Sequence, residues 1–179
     1  MKKISTTLKP SNFTSYVYNN ITQGKLNTEL EVYLNDQNLF ANFIARGSVS
    51  NLNTKIKKDI NFKKIKFNFF ADKTDVLIKN FSGELGPIKI NEGDLKLKLF
   101  PEISLESSFK SRAKYKNNSS KYKNLLKNFK YVQNVISLDI NLNNSFSINL
   151  DKTYKVKKYN YKSNGKIVKA NFDFTQSFK

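Results

Sequence analysis

Leu95-Lys96-Leu97-Lys98-Leu99, entered from Glu92-Gly93-Asp94, alternates apolar residues with lysine without a break. Successive side chains of a β-strand point to opposite faces, so the stretch makes one oily face and one wet, cationic face. The preceding Glu-Gly-Asp triplet is predicted to be the turn that opens it. The same two-faced pattern recurs along nearly the whole chain between short Asn, Gly, Asp and Ser segments. The expectation is a long antiparallel sheet with one apolar side, and what covers that side becomes the functional question.

Upstream, Leu26, Thr28, Leu30, Val32 and Leu34 share a face, and Asn35-Asp36-Gln37-Asn38 has the residues that tolerate a hairpin turn. Leu39 to Val49 reads as the partner strand, with Ala41, Phe43, Ala45 and Gly47 in phase. Ile60 and Phe62 belong to one phase and Ile65, Phe67 and Phe69 to the other. The slip at Lys63-Lys64 predicts a bulge inside that strand. Ala71 to Asp75 reads as a turn, Val76 to Leu85 as a strand, and Gly86-Pro87 as a break before the short strand Ile88 to Ile90. Pro101 ends the leucine–lysine strand. Ile103, Leu105, Ser107 and Phe109 continue the alternation into Tyr115.

Farther on, Tyr122, Leu125, Leu126, Phe129 and Val132 fall at helical spacing and predict one short amphipathic helix near residues 120–135. Period two resumes in Ser137 to Leu142 and Ser145 to Leu150, divided by a predicted turn at Asn143-Asn144. Thr153 to Lys162 and Ile167 to Thr175 follow, divided by a predicted turn at Ser163 to Lys166. The count is about ten strands and one helix. Residues 1–20 read as a weakly structured segment, with a short strand or a tail. Residues 21–179 read as one β domain.

Composition limits the chemistry. The formal net charge is +18, and only Arg46 and Arg112 are arginine. A/T-rich codons for Lys, Asn, Ile and Phe give one account of this. Anionic partners such as phospholipid head groups, lipopolysaccharide or nucleic acid give the other. The scarcity of arginine, which supplies most bidentate base and phosphate contacts, argues against nucleic acid. There is no Cys, hence no disulfide frame, and no His, the commonest general base and zinc ligand. Asp72, Asp75, Glu84, Glu92, Asp94, Asp139, Asp151 and Asp173 fall mostly at predicted turns or strand ends, where carboxylates are solvated or turn-forming. No catalytic, cofactor-binding or metal-binding residues are assigned, and the chain reads as a non-enzyme. No apolar run approaches the roughly 20 residues that span a bilayer. Met1 to Asn20 lacks the apolar core of a secretory signal.

Ten six-residue strands would make a face on the order of 950 Å², and a helix of about 14 residues shields only about 210 Å². Soluble monomers seldom expose apolar patches beyond a few hundred Å². The sheet is therefore expected to fold on itself, meet a partner or hold apolar ligands.

Asn80-Phe81-Ser82-Gly83-Glu84-Leu85-Gly86-Pro87-Ile88-Lys89-Ile90, followed by Glu92-Gly93-Asp94-Leu95-Lys96-Leu97, resembles the AsmA-like envelope proteins, particularly the YhdP and TamB type. Leu138 to Phe174, with Asp151-Lys152-Thr153-Tyr154-Lys155-Val156 and Gly165, is similar to them too. The resemblance spans about residues 26 to 175 and implies an extended, twisted antiparallel sheet curled into a groove or half-barrel. It further implies a non-enzymatic segment of a longer periplasmic protein, held to the inner membrane by an anchor outside this chain. That segment would hold or conduct phospholipid or other acyl-chain lipid between inner and outer membranes. The expected lining is Leu30, Val32, Phe43, Ile65, Phe67, Phe69, Val76, Ile78, Leu95, Leu97 and Leu99. The alternative is a structural or interaction module, a β-sandwich of an envelope or surface protein that binds through its edge strands.

Overall fold

The computed structural model describes residues 12–57, 60–116, 135–151 and 155–173. Helix α1 (Asn12–Asn20) precedes eight strands: β1 (Ile21–Leu34), β2 (Phe40–Lys57), β3 (Ile60–Asp72), β4 (Asp75–Leu85), β5 (Ile88–Lys98), β6 (Ile103–Lys116), β7 (Val135–Leu150) and β8 (Val156–Phe172). They form one sheet in the order β1 to β8, every neighbouring pair antiparallel, and the sheet is not closed into a barrel. The expected all-β class is what the chain adopts. A second layer is not present among the described residues, so the two-layer sandwich is not the architecture they form. The helix expected near 120–135 lies outside the described residues.

Local chemistry sets the hairpins. The Asn35 side-chain oxygen accepts the N–H groups of Gln37 (3.0 Å) and Leu39 (2.9 Å), and Asn38 takes a positive φ of 59°. Between β3 and β4 the Asp72 carboxylate accepts the N–H groups of Thr74 (2.7 Å) and Asp75 (2.8 Å) and the Thr74 hydroxyl (2.9 Å). Side-chain oxygens thus replace main-chain partners where the chain reverses. Gly86, at φ 60°, turns β4 into β5.

Three predicted turns prove to be strand interior, which is why eight long strands replace ten short ones. Glu92-Gly93-Asp94 is a bulge within β5: Glu92 has φ 50°, and the register with β6 shifts between Asn91 and Asp94. Gly93 serves packing here, since a Cβ at that site would come within 3.0 Å of Phe81 and 3.1 Å of Phe109. Asn143 and Asn144 pair with Lys110 and Phe109 on one side and with Asn164 and Ser163 on the other. Gly165 sits opposite Leu142, where a Cβ would run into the Asn141 carbonyl. Residues 12–20, expected as a strand or tail, form α1.

The slip at Lys63-Lys64 is a bulge, with Lys64 at φ 53°. It is one of four. Asn51 on β2, Lys64 on β3, Asn80 on β4 and Glu92 on β5 all take positive φ, at 50°, 53°, 55° and 50°, on four adjacent strands. Each extra residue bends its strand and reverses the alternation, so apolar residues keep to one side of the sheet along both arms of the strand. Beside this crease lies the best-buried cluster, formed by Val49, Leu52 and Ile65 with Ile21 and Val17 of α1. Phe62, Phe67, Phe69 and Phe81 pack around it, and the Phe62 and Phe81 rings meet edge-on at 5.6 Å.

Candidate functional site

The apolar face is continuous from edge to edge. Cross-strand partners share a face, and the pairings run from Leu30 on β1 through Ala45, Ala71, Val76, Leu97, Leu105 and Ile148 to Tyr159 on β8. A parallel row runs from Phe69 through Ile78, Leu95, Ser107 and Phe146 to Tyr161. Among the expected lining residues, Leu30, Val32, Phe43, Phe67, Phe69, Val76, Ile78, Leu95 and Leu97 belong to this face. Leu30 and Val32 are the most open, at 63% and 55% exposure. Ile65 shares the face but lies in the buried cluster, 4% exposed, where it packs rather than lines. Leu99 lies one residue past β5, its N–H donating to the Thr74 carbonyl at 2.7 Å.

The structure adds a second half that the expected lining omits. Leu105 and Phe109 on β6, Leu138 to Ile148 on β7, and Tyr159 and Tyr161 on β8 extend the same surface. Their alternation is legible: it reads unbroken along β6, and misplaced turns divide it in β7 and β8. Within this half sits a polar island. Asn144, 5% exposed, donates to the Ser111 hydroxyl (3.0 Å) and accepts the hydroxyls of Tyr161 (2.8 Å) and Ser163 (3.0 Å). A buried amide needs such partners for both of its ends.

The opposite face is polar and laced with exposed ion pairs. Arg46 holds Glu29 and Glu31, Lys79 holds Asp94 at 2.7 Å, and Lys110 holds Glu92 at 2.6 Å. Arg112 grips both oxygens of Asp139, at 2.8 and 2.7 Å. Asp94 is thus a mid-strand ion-pair partner rather than a turn residue, and Asp139 holds the same kind of place on β7. Hydrogen bonding from Lys79 holds Asp94 below the usual carboxylate range, and that from Arg112 does the same for Asp139. Asp72 is lowered by the N–H groups of Thr74 and Asp75. Such exposed pairs contribute little to stability, because water and salt screen them. Their use is to fix register and keep this face in water.

This face also carries two shallow concavities, of about 520 Å³ beside Lys96, Glu106 and Lys162 and about 550 Å³ along Lys64, Asn80 and Glu92. Both mix charges of opposite sign. Among the described residues no group of three or more Asp or Glu could hold a metal ion, and no helix is long and apolar enough to cross a membrane. Comparison with protein-family models, with curated proteins and with solved structures gives no match.

Proposed function

We propose that this chain is a non-enzymatic, acyl-chain-holding segment of an AsmA-like envelope protein, part of a longer periplasmic chain that carries phospholipid between membranes. One observation supports this reading above the others: an apolar face eight strands wide with no second layer among the described residues. Strands of about 14 residues at about 3.3 Å each, eight across at about 4.8 Å, give a face on the order of 1,700 Å². The nine residues of α1 shield about 140 Å² of it. An acyl chain laid on the remainder gains about 0.8 kcal/mol per CH₂ removed from water. That suffices for retention without a head-group pocket, and it suits a surface whose lining is aliphatic and aromatic apart from Ser107 and the hydrogen-bonded island around Asn144.

The test is lipid content by native mass spectrometry and solvent extraction, with circular dichroism on the same samples. Wild type is expected to carry phospholipid. Leu97→Asp, central in the face, is expected to lose it while keeping its strand signal. A wild type free of lipid, with Leu97→Asp globally unfolded, would mean that Leu97 belongs to a dry core and would overturn the reading.

A further inference from the structure

The two edges of the sheet differ in charge and in what they leave exposed. β1 carries Lys25, Glu29 and Glu31, and both glutamates are engaged by Arg46. The segment from Lys155 to Phe172 carries six lysines and no carboxylate. Among the described residues none of those six ammonium groups has an ion-pair or hydrogen-bond partner. No described strand pairs with the outer side of β8, which is exposed along almost its whole length.

The pairing with β7 sorts these residues by face. Lys158, Lys162 and Lys166 stand opposite Asn149, Ser145 and Asn141 on the polar side. Tyr159, Tyr161 and Ile167 stand opposite Ile148, Phe146 and Ile140 on the apolar side. Tyr159 is 75% exposed, and Val156, Ile167 and Val168 are each at least half exposed.

We infer that β8 is a docking edge for an anionic phospholipid bilayer, seated in the head-group layer. Clustered lysines held in no ion pair are drawn to a negatively charged leaflet, and tyrosines with exposed alkyl neighbours favour the boundary between head groups and acyl chains. Backbone N–H and C=O groups of the edge that no described strand pairs cannot enter hydrocarbon, but the hydrated head-group layer satisfies them. That sets the depth. The protein's two arginines, the better phosphate forks for nucleic acid, are both spent on carboxylates elsewhere. The inference does not depend on what the apolar face holds.

The experiment is co-sedimentation of the full chain with pure phosphatidylcholine vesicles and with vesicles in which part of the phosphatidylcholine is replaced by anionic phosphatidylglycerol. Wild type is expected to bind only the anionic vesicles, and to release them as salt is raised. Neutralising the edge with Lys158→Gln, Lys162→Gln and Lys166→Gln together is expected to weaken binding by about 100-fold. An equal change of charge on other strands, Lys66→Gln, Lys89→Gln and Lys96→Gln, is expected to cost under about tenfold. Leu97→Asp, which empties the apolar face in the acyl-chain reading, is expected to keep vesicle binding. No binding to anionic vesicles, equal binding to neutral ones, or equal loss in both triple variants would overturn the assignment. So would capture of the chain from anionic vesicles by a single-stranded oligonucleotide.

Discussion

Two corners of the same apolar face use the same residue types and meet different fates. Where the crease brings β2 and β3 under α1, Val49 and Ile65 are each 4% exposed. Along β1, Leu30 and Val32 repeat the same alternation and stand more than half in solvent. Alternation therefore decides which side of the sheet a residue faces. It does not decide whether anything lies on that side. A helix of two and a half turns and a row of bulges make the difference at one corner, and nothing described makes it at the other.

The largest expected effect comes from placing a charge in the covered corner. Ile65→Asp sets a carboxylate among Leu52, Phe62 and Phe81 without a partner, at an expected cost of about 3–5 kcal/mol, read as loss of the cooperative thermal transition. Leu97→Asp puts the same charge on the open expanse, where water can reach it, and should cost about 1 kcal/mol by urea denaturation. Equal costs at the two sites would erase the contrast and mean that both are core. Asn144→Ala probes the polar island between these extremes. It leaves the buried Ser111 hydroxyl without its donor, and about 1 kcal/mol is expected.

The smallest effect concerns the polar face. Asp72, Asp94 and Asp139 titrate below their unfolded value of about 3.9. As pH falls toward the folded-state values, the unfolded chain binds more protons than the folded one. Their contribution is therefore complete above about pH 5 and is lost below about pH 4. The urea midpoint should be flat from pH 7 to 5 and then fall, less steeply in Asp139→Asn.

The sequence made the fold class, the Asn35 and Asp72 hairpins and the Lys64 bulge legible, because each rests on a local signal: a period of two, a side chain that mimics a turn, a slip of phase. Glu92-Gly93-Asp94, Asn143-Asn144 and Ser163 to Lys166 were misread because bulges, buried amides and close strand approaches draw on the same Gly, Asn and Asp residues as turns. Only the opposing strand tells them apart: Phe81 and Phe109 crowd Gly93, and Ser111 and Tyr161 satisfy Asn144. The apolar alternation was readable for β1 to β6 and was broken by misplaced turns in β7 and β8. The helix at 12–20 is too short for its period to stand out.

Each strand's neighbours in space are also its neighbours in sequence, so the sheet has no long-range closure holding its first strand to its last. Such a molecule behaves as a linear array whose stability is a sum of nearest-neighbour terms. It should assemble hairpin by hairpin, with little loop entropy lost at each step. Amide hydrogen exchange should be slowest at the crease of β2 to β4 and quicken toward β8, which loosens without taking the remainder with it. An array of this kind tolerates growth as readily as fraying. A further hairpin added at either edge meets the same two faces and asks nothing of strands already in place.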